Sequence, residues 1–350
     1  MSEISLVTGA NGLLGSNLVR ALRAEGVQVR ASVRDASRSG PAAGLGAEIV
    51  YADLMNPGSL ADALAGVDTL YQVAGVFRHW SPDPRRDIVL PNVEGTRNVL
   101  QAAARAGVRR VVYVSSSSTL APPPGSGQVN ERDWRSDFLG NHYARAKTQA
   151  ERVAWEVAGR MDLDMATVLP STIVGPAYGP LALSMTLLDR IVRGKLSVAP
   201  DLHFTYIDVR DVAQAMIAAA GQGRAGERYL LAGDRAISVT RLAELARQVS
   251  AQARVPRLMP APAALAAATV MEGLARLTGR PPALLRSQVR LWCGASITYD
   301  TSKARAELGW QPRTSEQAVR ECLAYLSDSR SRAGARASSL LSDAPERLGG

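Results

Sequence analysis

The chain has little cysteine and histidine, and it has no long apolar run. Its two cysteines, Cys293 and Cys322, are too few for a disulfide framework, so we expect a reducing, cytoplasmic setting. The three histidines and two cysteines do not fall at metal-ligand spacing, which predicts no metal site. The longest apolar stretch, Ala263–Met271, has about half of the ~20 residues that span a bilayer. The N-terminus shows no secretory signal pattern.

Lysine is scarce as well, although the chain is basic. Lys and Arg total 41 against 32 Asp and Glu, a formal net charge of +9, yet the only lysines are Lys147, Lys195 and Lys303. The arginines are scattered and interleaved with acids, and no aromatic residues alternate with a basic stripe. This distribution predicts a solvated surface and no nucleic-acid partner.

One apolar segment, Ala261–Leu277, has the length of a core helix and lacks a strongly basic face. We expect it to pack inside a second domain or at a homodimer interface, and we expect no membrane partner.

The first half of the chain alternates short apolar strands with helices of 10–15 residues, which predicts an α/β fold of the Rossmann type, a doubly wound parallel sheet. After Pro170 the alternation of strands and helices is no longer regular, and residues 225–327 are mostly helical in pattern. We therefore expect a nucleotide-binding domain at 1–170, to which 202–222 return. A smaller, mostly helical C-terminal substrate domain is expected at 171–201 and 223–328, with a disordered tail at 329–350.

A glycine-rich turn follows the first predicted strand and opens the first helix: Thr8-Gly9-Ala10-Asn11-Gly12-Leu13-Leu14-Gly15. Glycines let the backbone N–H groups approach a pyrophosphate, and the helix N-terminus favours negative charge. The spacing Gly-x-x-Gly-x-x-Gly is weak evidence alone, because glycine turns between strand and helix are common. At the first βα junction of an alternating chain it favours a dinucleotide site.

The residue after the second strand predicts which dinucleotide is bound. A carboxylate there would hold the ribose 2′-hydroxyl of NAD, whereas an arginine accommodates a 2′-phosphate. Arg34 follows the strand, with Arg30 and Arg38 nearby, while Asp35 is placed to pair with Arg38 or cap the next turn. We therefore expect NADP(H) in preference to NAD(H), against the alternative that Arg34 is one more surface arginine.

Tyr143 and Lys147 stand four residues apart near the start of a predicted helix, so their side chains share one face. With so few lysines, chance gives roughly 0.08 such pairs in the chain. An ammonium near a phenol lowers the tyrosine pKa and makes a general acid/base. The alternative is a core tyrosine with a snorkelling lysine. The serine run that ends the strand at Val114 supports the catalytic interpretation, because ligands bind at the carboxyl ends of parallel strands.

These motifs resemble those of the extended short-chain dehydrogenases/reductases, and most closely the dihydroflavonol-4-reductase-like branch. The resemblance covers about residues 3–327. The segments that carry it, besides the glycine turn, are Ala52–Leu54, Val73–Gly75, Asn92–Thr96, Val114–Ser118, Tyr143–Lys147, Leu169–Ser171 and Asp208–Val212.

The resemblance implies a role for each matching residue. It implies that the turn residues Gly9, Asn11, Gly12, Leu13 and Gly15 hold the cofactor pyrophosphate. Asp53 and Leu54 would contact the adenine, Ala74 and Gly75 the ribose and pyrophosphate, and Pro170 and Ser171 the nicotinamide.

At the catalytic centre it implies that Asn92 orders the backbone and a water, that Tyr143 is the acid/base and that Lys147 contacts the nicotinamide ribose. Ser117 would supply the catalytic hydroxyl, with Ser116 as the alternative.

The family carries out several reactions with these same residues. No carboxylate follows the serine run until Glu131, which counts against dehydration. Phe77 and Trp80 favour a hydrophobic or ring-bearing substrate, and Arg78 and His79 would suit a charged group instead. We expect an NADP(H)-dependent reduction of a ketone or aldehyde, or oxidation of the alcohol. The alternatives are a sugar or nucleotide-sugar epimerase and a non-enzymatic NADP-sensing protein; a homodimer stays open.

Overall fold

A computed structural model of the chain describes residues 3–35, 40, 43–123, 125–295 and 297–342. The strands in these residues are β1 Ile4–Val7, β2 Gln28–Val33, β3 Glu48–Tyr51, β4 Thr69–Gln72, β5 Arg110–Val114, β6 Gln128–Val129, β7 Met165–Pro170, β8 Thr172–Val174, β9 Val198–Pro200, β10 His203–Asp208, β11 Arg228–Leu231, β12 Ala236–Ser238, β13 Arg257–Met259 and β14 Thr298–Tyr299. The α-helices are α1 Leu13–Ala24, α2 Pro57–Leu64, α3 Leu90–Arg105, α4 His142–Arg160, α5 Thr186–Val192, α6 Val209–Gln222, α7 Val239–Ala246, α8 Ala261–Thr278, α9 Arg286–Trp292, α10 Ser302–Leu308 and α11 Ser315–Ser342.

Seven strands form one parallel sheet in the order β11-β7-β5-β4-β1-β2-β3. The order reverses direction at β1, and that switch point is where open α/β sheets bind ligands at the carboxyl ends of their strands. The predicted Rossmann architecture is confirmed.

Both faces of the sheet are covered, because neighbouring residues along each strand point to opposite sides. Val7 and Val112 pack with α1 and α6 in one buried cluster. Leu6 and Val111 pack with α2, α3 and α4 in another. Two-sided burial explains why these strands read as continuous apolar runs.

A second lobe has a hydrophobic core of its own. It combines the antiparallel pair β10–β12 and the parallel pair β10–β8 with the helices α5, α7 and α11. Tyr206, Leu242 and Leu323 are fully buried there.

Three details differ from the sequence expectations. β11 pairs with β7 at the edge of the large sheet, so residues 228–231, assigned to the substrate domain, complete the nucleotide-binding sheet instead. β10, part of the residues 202–222 expected to return to the nucleotide-binding domain, pairs with β8 and β12 in the second lobe instead.

The third concerns the end of the chain. α11 continues to Ser342, where a disordered tail from 329 was expected; alanine and arginine, frequent in this stretch, are good helix formers. Residues 343–350 lie outside the described part of the chain.

Candidate active site

The glycine turn brings α1 unusually close to the end of β1. Gly9 has φ +66°, and a Cβ there would lie 3.0 Å from the Ala74 Cα. A Cβ on Gly15 would lie 2.2 Å from the Gly9 carbonyl oxygen. Gly12 begins the helix with no capping side chain, and its first turn carries no acidic residue. The N–H groups at this helix end are therefore free of competing carboxylates, as an anion site requires.

The segment after β4 lies on the other side of the glycine turn. The Thr8 hydroxyl accepts from the N–H groups of Val73 and Ala74 at 2.9 and 3.0 Å. Asn92 accepts from the Val76 N–H at 3.1 Å and donates to the carbonyls of Val76 and Ile88. A Cβ on Gly75 would lie 2.9 Å from the Asn92 Oδ1. The segment after β4 is thus fixed by hydrogen bonds.

The residues expected near the adenine follow β3. Leu54 packs against α3, where a Cβ on Gly95 would lie 2.9 Å from the Leu54 Cβ. Asp53 accepts from the Met55 N–H at 2.9 Å and so shapes its own loop.

The three arginines near the end of β2 differ in their surroundings. Arg34 is exposed after β2. Arg30 is engaged elsewhere, pairing with Glu48 at 2.9 Å. Arg38 lies outside the described residues.

The serine run bears on the choice of the catalytic hydroxyl, for which Ser117 was expected and Ser116 was the alternative. The Ser116 side chain lies by the Tyr143 phenol and opposes the rise that burial causes in its pKa. Ser116 also caps a short 3-10 turn at Ser117–Thr119 by accepting from the Ser118 N–H at 3.1 Å. Ser117, in that turn, lies by Tyr299 of β14 and opposes the rise that burial causes in the pKa of that phenol. This arrangement favours Ser116, and the role of either hydroxyl stays a prediction.

Tyr143 lies in the first turn of α4, whose start is fixed by Asn141 accepting from the Ala144 N–H at 3.0 Å. Burial raises the pKa of Tyr143 to about 12, and the Ser116 side chain partly offsets that rise. The sequence analysis expected a lowered pKa. Desolvation of the phenolate outweighs the neighbouring ammonium here, so Tyr143 carries its proton at neutral pH.

Lys147 is buried one helical turn later and donates to the Val114 carbonyl at 2.8 Å. Burial lowers its pKa to about 8, while the Glu151 carboxylate opposes that change. Glu151 is fully buried. It pairs with Arg228 at 2.7 Å and accepts from the Ser115 hydroxyl at 2.5 Å. Lys147 is therefore held between the end of β5 and the buried ion pair that Glu151 of its own helix makes with Arg228 of β11.

An aromatic wall faces the tyrosine. The ring centroids of Phe77 and His79 lie 4.9 and 5.5 Å from that of Tyr143. Trp292 of α9 lies 5.9 Å from His79 and 5.1 Å from Phe204. Burial lowers the pKa of His79 to about 4, so its ring is neutral at physiological pH. Neutral aromatic walls suit an apolar or ring-bearing ligand.

Pro170 and Ser171 follow β7 at the same edge of the sheet. The Ser171 N–H donates to the Leu231 carbonyl at 2.8 Å. Its buried hydroxyl has no hydrogen-bond partner in the described residues. Together with the glycine turn and the uncapped N-terminus of α1, this hydroxyl fits a bound dinucleotide.

The described residues contain neither a candidate metal site nor a membrane-spanning helix. They have no group of three or more His, Cys, Asp or Glu side chains that would hold a metal ion. In the same part of the chain, each helix is too short or too polar to cross a membrane.

Comparison with known proteins gives the family. Residues 5–232 match the model of the NAD dependent epimerase/dehydratase family. The chain belongs to this family.

Its similar relatives include a sterol demethylase protein and proteins named as reductases. The chain is 35% identical over 332 residues to sterol demethylase protein B of Methylococcus capsulatus, covering 92% of this chain and 97% of the relative. It is 32% identical to a putative dihydroflavonol 4-reductase of Synechocystis sp., covering 92% and 94%. Yeast methylglyoxal/isovaleraldehyde reductase, solved with NADPH, superposes with a TM-score of 0.75 at 20% identity, covering 94% and 99%, and shows the fold alone.

As a member of this family, in its extended short-chain dehydrogenase/reductase class, the protein is an NAD(P)-dependent oxidoreductase. Sequence reasoning missed Trp292 and Tyr299, which lie in the second half of the chain and carry no local motif. A strand end, a glycine turn, a match to the family motifs or the four-residue spacing of Tyr143 and Lys147 marks the residues that were found, and no such signal marks these two.

Proposed function

We propose that the protein is an NADP(H)-dependent oxidoreductase that reduces the ketone or aldehyde of a hydrophobic or ring-bearing small molecule, or oxidises the alcohol. The observation that carries the proposal is the Tyr143 phenol, one turn of α4 before the buried Lys147 and packed beside Phe77 and His79. The names of the relatives, a sterol demethylase protein and a dihydroflavonol reductase, are in keeping with a ring-bearing substrate.

The catalytic proposal follows from the protonation states. Tyr143, with a pKa of about 12, donates its proton to the oxygen of the carbonyl as negative charge develops there. Ser116 donates a hydrogen bond to the same oxygen. Lys147 supplies a compact positive charge that stabilises the phenolate left behind. A bound nicotinamide supplies or accepts the hydride.

The cofactor proposal extends the fit of the site. The turn residues Gly9, Asn11, Gly12, Leu13 and Gly15 would hold the pyrophosphate, and Asp53 and Leu54 the adenine. Ala74 and Gly75 would line the ribose, and Pro170 and Ser171 the nicotinamide.

NADP(H) is preferred to NAD(H) because Arg34 is exposed beyond β2, where a 2′-phosphate would lie. Isothermal titration tests this preference, and tighter binding of NADH than of NADPH would overturn it.

We also propose the domain division and location. Residues 1–170, α6 and β11 form the nucleotide-binding domain, and 171–208 with the remainder of 223–328 form the substrate domain. The free cysteines, Cys293 and the buried Cys322, fit a reducing cytoplasm.

Substitution of Tyr143 by phenylalanine tests the reaction. We expect the variant to lose about 10²–10⁴-fold in turnover, because it removes one proton donor and keeps the ring packing. NADPH affinity should stay unchanged. Oxidation of NADPH against a panel of aromatic and aliphatic ketones measures the first, and titration measures the second. Near-normal turnover of the variant would refute the role of Tyr143.

A sugar or nucleotide-sugar epimerase is the second candidate, favoured by the family model. Such an enzyme returns the hydride to its substrate, so it converts sugar epimers with no net oxidation of NADPH. Epimer conversion without cofactor consumption would replace the reductase proposal. Tight NADPH binding with neither reaction would indicate a sensing protein.

A further inference from the structure

The outer face of α8 is apolar and exposed. The helix packs inward through Ala264, Ala268 and Ala275. On the opposite side, Val270, Leu274 and Leu277 are 63, 56 and 85% exposed. Their spacing of four and three residues places them on one face. Single exposed apolar residues are ordinary, but a row of three on one helix marks a contact surface.

The segments that flank this helix in the sequence are rich in arginine. Residues 251–295 contain six arginines and one glutamate, a net charge of +5. The glutamate, Glu272, is already paired with Arg286 at 2.8 Å. The exposed arginines of this segment are Arg254, Arg257, Arg276, Arg280 and Arg290. An apolar helix face beside unpaired cations has the composition of a helix that lies on an anionic lipid surface.

We propose that α8 docks the protein on the surface of an anionic phospholipid membrane, with Val270, Leu274 and Leu277 in the acyl boundary and the arginines at the headgroups. The positive charge of residues 251–295 argues against a second copy of the chain as the partner of this face. A two-fold interface would bring the same surface of each copy together and place +5 against +5. The helix lies on the bilayer and does not cross it, since no helix of the described residues is long and apolar enough to span it. The proposal departs from the expectation of no membrane partner, because the cations, apart from Arg276, come from segments that flank α8 and not from a basic face of the helix itself.

The inward side of α8, opposite the docking face, is linked to the active site through α9. α8 packs on α9 through Ala264, Ala268 and Val289. α9 ends at Trp292, whose ring is 5.9 Å from His79 beside Tyr143. A substrate dissolved in the bilayer would thus meet the aromatic wall close to the membrane surface. This delivery role rests on the proposed function, whereas the docking itself does not.

Vesicle sedimentation without substrate or cofactor tests the docking. The full chain is expected to sediment with phosphatidylcholine vesicles that contain phosphatidylglycerol. It should bind pure phosphatidylcholine vesicles far less, and high salt should weaken binding. Replacing Leu274 and Leu277 by serine should lower the partition coefficient at least about tenfold, and replacing Arg276 by glutamine about fivefold. The leucines are exposed, so the fold should survive their loss; circular dichroism checks this.

The matched control is Met55→Ser, which removes an apolar side chain of similar exposure, 52%, far from α8 in the sequence. It should bind vesicles as the wild type does. Three results would overturn the proposal: no sedimentation, sedimentation that ignores the leucine substitutions, and a dimer in light scattering that these substitutions dissociate without any lipid binding. Ketone reduction measured separately in buffer shows whether the proposed function stands when docking fails.

Discussion

The Ser116 side chain lies by Tyr143 and opposes the rise that burial causes in its pKa, whereas the neighbouring Ser117 has this effect on the pKa of Tyr299. Ser116→Ala is therefore expected to lower kcat by about 10²–10³, the usual effect of losing one donor to a developing oxyanion. Ser117→Ala, an identical chemical change one residue away, should stay within a few-fold of wild type. Steady-state reduction of one ketone by both variants makes the measurement. The reverse order of effects would restore Ser117 as the catalytic serine.

His79 makes stability depend on pH. Its pKa falls from 6.5 to about 4 because burial disfavours the imidazolium. As pH drops below 6.5, the unfolded chain takes up the proton before the folded protein does. The free energy of unfolding should therefore be at its plateau above pH 6.5, decline towards pH 4, and level off below it.

Urea unfolding of wild type and His79→Phe checks this. The shift at His142, of the same sign, is present in both proteins, so their difference isolates His79. Parallel pH profiles would contradict the assignment.

At the residue scale, sequence patterns predict the pairs that one helix or one strand end sets. Tyr143 and Lys147 share a face because they are four residues apart on α4. Which serine lies by Tyr143 depends on a 3-10 turn too short to leave a pattern. The pKa of Tyr143 depends on burial by residues distant in sequence, so its direction was predicted wrongly.

At the scale of elements, the packing of α1 on the glycine turn is the tightest contact of the nucleotide site. Gly15→Ala would place its Cβ 2.2 Å from a backbone oxygen, so the turn must open. We expect a loss of about 1–3 kcal/mol in stability, or more, and weakened NADPH binding.

Gly273→Ala is the matched control. This helical glycine has open space around its Cβ position, and the change should stabilise α8 by about 0.5–1 kcal/mol. Chemical denaturation and isothermal titration of both variants supply the comparison. Unaltered NADPH binding by Gly15→Ala would show that the turn does not hold the cofactor.

The elements themselves follow the apolar patterns closely in the first half of the chain. The predicted alternation of strands and helices is present there, and β5, buried at all of its positions, shows why a central strand is mostly apolar. β11 was placed in the other domain, since its four residues follow the point where that alternation stops being regular and only pairing with β7 reveals their sheet. Long-range pairing of this kind has no local signature.

On the scale of the whole molecule, a charge network joins the lobes. Asp208 ends β10, is fully buried, and accepts from the Arg210 N–H at 2.8 Å and its guanidinium at 2.7 Å. Arg210 also pairs with Glu321 of α11. α6, which follows Asp208, packs on α1 in the nucleotide lobe, and α11 belongs to the core of the second lobe. A ligand that stabilises one lobe against unfolding should therefore also stabilise the other.

Cofactor binding tests that coupling. NADPH at a hundred times its Kd stabilises the state that binds it by about 2.7 kcal/mol, which is several degrees of Tm. Calorimetry of the wild type should show one transition that shifts as a whole, because both lobes unfold together. Asp208→Ala removes the cap of α6 and the partner of Arg210, so we expect two transitions, of which NADPH shifts only one.

Glu316→Gln is the control for this experiment, because Glu316 pairs with Arg241 inside the second lobe at 2.9 Å. Loss of an exposed pair should cost at most about 1 kcal/mol and leave a single transition. If Asp208→Ala also unfolds in one step that NADPH shifts fully, then apolar packing between the lobes, and not the Asp208–Arg210–Glu321 network, couples them.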